Sequence, residues 1–111
     1  MPVMTRTTGM IVRTWSATAD AAGAADYSRY FDGTLLPGLR KLPGFNGACL
    51  LRRDLGEDGT TELTAHTFWT SPEVIRAFAG DDIKVAKYYD FDKNFLLEME
   101  PASAHYETYE R

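Results

Sequence analysis

Cysteine occurs once in the 111-residue chain and histidine twice, so no intrachain disulfide can close and no cluster of these ligands has zinc spacing. A reducing compartment and a metal-free core are the expectation. Anions outnumber cations, 16 to 12, for a formal charge of −4, and nothing supplies the basic surface that releases phosphate counterions. A nucleic-acid reader, including an RNA-binding ferredoxin-like module, is therefore set aside. No run of about 18 apolar residues exists to span a bilayer, and the polar start, Met1 to Thr8, lacks the apolar stretch of a secretory signal. The expected location is cytoplasmic. Repeats and Pro/Gly/Ser-rich linkers are also missing, so residues 9–111 are read as a single domain behind a flexible lead, 1–8.

The residues that are present punctuate that domain into short elements. Met10-Ile-Val-Arg-Thr-Trp15 is β-branched and aromatic, with Ile11, Arg13 and Trp15 on one face of a first strand running from Gly9 to Ala17. Asp20 is placed to cap an amphipathic helix reaching about Leu36, with Pro37-Gly38 expected to end it. Leu42-Pro-Gly-Phe45 is a turn, followed by strands at 46–53 and 61–69 joined by a hairpin connection. Ser71-Pro72-Glu73 opens a second helix that Gly80 stops, and Asp81 or Asp82 is read as the start of another. Ser103 to Tyr109 alternates as the last strand, with Ser103, His105, Glu107 and Tyr109 on one face. The order predicts an α+β, ferredoxin-like βαββαβ domain with a four-stranded antiparallel sheet. Helices then cover one sheet face, and burying the other against a copy of itself yields a homodimer, a dimeric α/β barrel.

In this order the chain resembles the antibiotic biosynthesis monooxygenase domain family of the dimeric α/β-barrel superfamily. The resemblance lies in Ile11-Val-Arg-Thr-Trp15, in Leu36-Pro-Gly38 followed by Pro43-Gly-Phe-Asn-Gly47, in Leu51-Arg-Arg53, in Phe68-Trp-Thr-Ser71 with Phe78-Ala-Gly-Asp81, and in His105-Tyr-Glu107. It implies a phenolic or related aromatic substrate bound between sheet and helices, deprotonated by the protein and oxidised by dioxygen without flavin or metal. Trp69 matches a pocket tryptophan of the family. The family's first-strand asparagine has no counterpart between Met10 and Ser16. An axial histidine on the second helix, used by the similar haem-degrading branch, is missing between Ser71 and Tyr89.

Individual residues carry the chemistry such a site needs. His105 is the candidate proton acceptor, the alternative being a hydrogen-bonded barrel histidine. His66 stands on the face opposite Trp69 and lines the same pocket only through a bulge. Arg13, between Ile11 and Trp15, needs an anion, either Glu107 within the chain or a ligand oxyanion; the internal salt bridge is the favoured partner because an unpaired buried charge is heavily penalised. Trp69 and Arg13 are assigned to steady an oxyanion, and Trp15, Tyr88, Tyr89 and Phe91 to bind the aromatic substrate, with large core residues as the alternative. Cys49 is read as an inert core thiol. The function expected is cofactor-independent monooxygenation of a phenolic or quinol-like small molecule. A non-catalytic ligand-binding or stress-related dimeric barrel is the alternative, favoured by the missing asparagine.

Overall fold

A computed structural model describes residues 9–56, 59–86 and 98–109. The first strand, β1 (Ile11–Asp20), leads directly into α1 (Ala21–Tyr30), whose first turn is held by Asp20 Oδ1 accepting from the Gly23 N–H at 2.6 Å. Pro37-Gly38 does not end this helical limb. The chain widens into a π-helical segment, Phe31–Leu35, then continues as α2 (Leu36–Leu39). A proline removes one N–H from the ladder, and the wide π turn just before it lets the axis continue where an unbroken α-helix would be kinked.

The turn before the second strand forms as its sequence suggests and depends on Gly44. At φ 81° this residue sits in the left-handed region, and a Cβ there would come within 2.7 Å of a Val74 methyl. From it run β2 (Phe45–Asp54) and β3 (Thr60–Trp69), an antiparallel pair with an irregularity between Phe45 and Gly47. Next comes α3 (Pro72–Ala79), closed by Gly80 at φ 94°. Ser71 stands at its N-cap without bonding the helix backbone; the Glu73 backbone N–H first, and then the Ser71 hydroxyl, hold the Glu73 carboxyl below its usual range.

The helix expected from Asp81 or Asp82 does not form over its described part. Asp82 accepts from the Lys84 N–H through its side chain and from the Val85 N–H through its carbonyl, closing a turn instead, and Val85 then bridges Ala102. The last strand is also broken in two, β4 (Glu98–Met99) and β5 (Ala104–Glu107). Both pair with β1, so Trp15 and Ser16 stand opposite the buckled stretch from Glu100 to Ser103. The sheet order is β2-β3-β1 with β4 and β5 sharing the outer edge, all antiparallel. Counting the broken edge as one strand, this is the ferredoxin-like α+β topology.

Register assigns the two faces. Arg13, Trp15, Ala17 and Ala19 of β1, with Leu63, Ala65, Thr67 and Trp69 of β3, point to the helices. Small side chains at Ala17, Ala19 and Ala24 let α1 approach the sheet, and Tyr27, Phe31 and Leu35 pack with Leu63 there. A second cluster gathers Leu39, Trp69 and Ile75 around the start of α3. The opposite face grades from an apolar row, Tyr106, Val12 and Phe68, to a charged end where Arg53 donates to Glu62 at 2.9 Å. Between them lie hydroxyl-bearing residues, with Ser16 and Thr64 hydrogen-bonded at 2.8 Å. Among the described residues no helix is long and apolar enough to cross a membrane.

Candidate functional site

The two clusters do not quite meet. Between them lies a cavity of about 70 Å³, walled by Tyr27, Phe31 and Leu35 on one side and by Leu39 and Phe78 on the other. Its floor is the sheet, where Arg13, Trp15 and Thr67 come up from neighbouring strands and Ser103 from the buckled edge. Among the described residues the rest of the lining is apolar, so their polar groups are few and convergent, the usual composition of a small-ligand site.

Arg13 dominates the electrostatics. Its side chain is buried, residue exposure being 5%, yet its guanidinium is well supplied with acceptors. Nη1 donates to the Ile83 carbonyl and to Nε2 of His105 at 2.9 Å, and Nη2 donates to the Val85 carbonyl at 3.2 Å. The ring of Phe78 lies 5.9 Å from the guanidinium carbon, within cation–π range. Glu107 is not the partner. It stands opposite Ile11 at the end of the strand, exposed, and accepts the Tyr109 hydroxyl, which in turn holds that phenol's pKa above its usual value.

His105 faces Arg13 directly across β1 and β5. A guanidinium only donates, so Nε2 must accept and the ring proton sits on Nδ1, a neutral imidazole. Burial pushes the His105 pKa below its usual value, and the positive charges of Arg13 and Lys84 push it the same way. The imidazole is thus an acceptor for Arg13 in the resting structure and stands behind the guanidinium rather than on the cavity wall.

Trp69 is fully buried and also stands behind the wall. Its ring packs edge-on to Phe45 at 5.3 Å and stacks with Phe78 at 5.5 Å, and its indole N–H donates to Thr67 Oγ1 at 2.8 Å. Since the Thr67 oxygen already accepts from Trp69, its own proton is left to donate, and no described residue receives it. The Ser103 hydroxyl, at a residue only 6% exposed, also lacks a partner among the described residues. Trp15 lines the cavity with its ring, its N–H directed to the Glu100 carbonyl at 2.8 Å.

Of the sequence-predicted residues, Arg13 and Trp15 line the cavity, whereas His105 and Trp69 each touch a lining residue from behind. Tyr88, Tyr89 and Phe91 lie outside the described residues. His66 is on the helix-free face, opposite Thr14 and Cys49, as alternation from Trp69 requires, and Cys49 is exposed there rather than a core thiol because its strand position turns it away from the helices. Thr67 and Ser103 were not singled out by sequence. Alternation in β3 does carry the first, because an inward Trp69 makes residue 67 inward as well.

Neither a family model nor a curated protein matches the sequence. Solved structures do. A candidate antibiotic biosynthesis monooxygenase from Bacillus cereus superposes with a TM-score of 0.63 at 18% identity, over 92% of this chain and 95% of its own. A monooxygenase from Streptomyces coelicolor, solved in complex with the ligand nanaomycin D, gives a TM-score of 0.63 at 18% identity, over 94% of this chain and 90% of its own. The chain shares with these monooxygenase structures the whole of its ferredoxin-like fold.

Proposed function

We propose that the cavity receives the hydroxyl end of a small phenolic or quinol-like aromatic molecule, held as its oxyanion by Arg13, with Thr67 and Ser103 as neutral donors. The observation that carries this reading is a buried guanidinium flanked by two hydroxyls at the floor of an otherwise apolar hollow. Such a constellation favours the charged form of a bound phenol. The reaction assigned to it is monooxygenation without an added cofactor. For Nε2 of His105, which stands behind the guanidinium, to take the phenolic proton, Arg13 must swing aside as it turns to the arriving hydroxyl, freeing both the lone pair and the path to it. The electron-rich ring is then oxidised by dioxygen: one oxygen atom becomes a ring carbonyl, the other leaves as water, and the substrate supplies the electrons. The similarly folded monooxygenase solved in complex with nanaomycin D supports a small-molecule ligand.

The helix-free face is proposed to dock a second copy of the chain, with Tyr106, Val12 and Phe68 as its apolar row. Light scattering should give twice the chain mass for the wild type and a single mass for Phe68→Lys; a monomeric wild type at micromolar concentration removes this part.

Oxygen uptake with a panel of hydroquinones and anthrones tests the chemistry. Consumption that falls in Arg13→Gln and His105→Ala supports it. A second reading, a binding protein without turnover, is favoured by the occupied lone pair of His105, which leaves the resting site without a free base among the described residues. Saturable binding of the same compounds with no oxygen uptake decides for that reading.

A further inference from the structure

We propose that Phe78 is a door between two compartments of one ligand site, and that its bulk sets how many rings the ligand carries. The inference rests on the oxyanion seat proposed above and deepens it. The inner cavity, at about 70 Å³, holds a few water molecules or one polar head group, and no more. A second hollow of about 300 Å³ opens at the surface between the α1–α2 limb and α3, bounded by residues that include Tyr30, Thr34, Leu42 and Ala77. Among the described residues its wall has no charged side chain. Neither compartment suits a hydroxylated aromatic compound alone: the first is too small for the ring, and the second offers no cation among the described residues to hold an anion.

The two hollows share three walls, Leu35, Leu39 and Phe78. Leu35 and Leu39 are buried in the two core clusters and are fixed by packing. Phe78 is half-buried, the penultimate residue of α3, and is followed closely by Gly80 and the irregular turn at 81–84. Its ring stacks on Trp69 at 5.5 Å and lies 5.9 Å from the Arg13 guanidinium carbon. Displacing it therefore opens the outer hollow straight onto Arg13. A ligand ring entering in its place inherits the stacking contact with Trp69 and the cation–π contact with Arg13, so an aromatic body replaces the displaced ring better than an aliphatic one.

The test is calorimetric binding of phenol, 2-naphthol and 2-anthrol to wild type, Phe78→Ala, Phe78→Leu and Phe78→Trp, each first shown to unfold cooperatively. The affinity ratio of 2-anthrol to phenol should rise at least about tenfold in Phe78→Ala, less in Phe78→Leu, and fall in Phe78→Trp, the scale expected when one group in an apolar pocket changes. A ratio unchanged across the series overturns the door. Benzene separates this from failure of the oxyanion seat. If no hydroxyaromatic binds but benzene raises the Tm of Phe78→Ala and not of Phe78→Trp, the door stands and the seat falls. If benzene also has no effect, both fall.

Discussion

Nε2 of His105 accepts from Arg13 at 2.9 Å across neighbouring strands, joining a weakened base to a buried permanent cation. Protonating the imidazole places a second positive charge against the first and removes an acceptor from it. Burial opposes that proton most, with Arg13 and Lys84 adding to it, so the folded pKa lies below the unfolded value near 6.5. Between the two values the unfolded chain binds more protons than the native one, and stability rises with pH. This contribution is complete above the unfolded pKa and is lost as pH falls through the folded one. Urea melts should show a midpoint that drops as pH is lowered from 7.5 to 5.5, with a shallower drop in His105→Gln; equal slopes for the two proteins would falsify the assignment.

Removing the guanidinium should separate binding from folding. Arg13→Gln retains a donor for the Ile83 or Val85 carbonyl but deletes the charge that seats an oxyanion, and charge-assisted hydrogen bonds contribute about 1.5–3 kcal/mol. Affinity for a hydroxyaromatic should fall about 10- to 100-fold, more steeply above the ligand's pKa, where the free compound is already ionised. A loss of equal size for a methoxy analogue, which cannot ionise, argues against an oxyanion seat.

Much of the fold can be read from local signals. Asp20, Gly44, Pro72 and Gly80 act through their own turns; the predicted strands 46–53 and 61–69 lie within β2 and β3, while the first, expected from Gly9 to Ala17, starts two residues later and runs three further to Asp20. The site is less legible because it depends on long-range register. Arg13 and His105 meet only because β1 and β5 pair with those two residues opposite each other, a relationship that no spacing within either strand contains. Ser103 enters the cavity from the face of the last strand that it shares with His105, which alternation carries; what the uninterrupted pattern hides is the buckle that sets Trp15 and Ser16 opposite residues 100–103. The Arg13–Glu107 pairing fails for the same reason: the register places Glu107 beside Ile11, at the exposed strand end.

Gly44 offers a prediction on stability alone. An alanine there must take a positive φ and push its Cβ against both Val74 methyls, at 2.7 and 2.8 Å, where α3 begins. Backbone strain of this kind costs about 1–3 kcal/mol, and the steric conflict adds to it. Gly44→Ala should lower the urea midpoint by an amount matching at least about 2 kcal/mol. The equivalent change at Gly33, where an added Cβ meets nothing within 4 Å, should be nearly neutral or stabilising. Similar midpoints for the two variants would show that the turn can relax.

The link from Trp69 through Thr67 predicts non-additivity. If the indole N–H acts on a ligand only by holding the Thr67 oxygen, so that the hydroxyl proton is turned to the cavity, then the two residues form one unit. Thr67→Val removes the donor and Trp69→Phe frees its rotation, and each should weaken hydroxyaromatic binding by about tenfold, one neutral hydrogen bond's worth. The double variant should bind no worse than Thr67→Val. Folding gives an independent reading of the same bond: Thr67→Val leaves a buried indole N–H without an acceptor, at a cost of about 1–3 kcal/mol, and adding Trp69→Phe removes that orphaned donor. Thr67→Ser keeps the oxygen and should restore binding. Fully additive losses in the double variant would mean that Trp69 contributes through packing against Phe45 and Phe78, and not through the threonine.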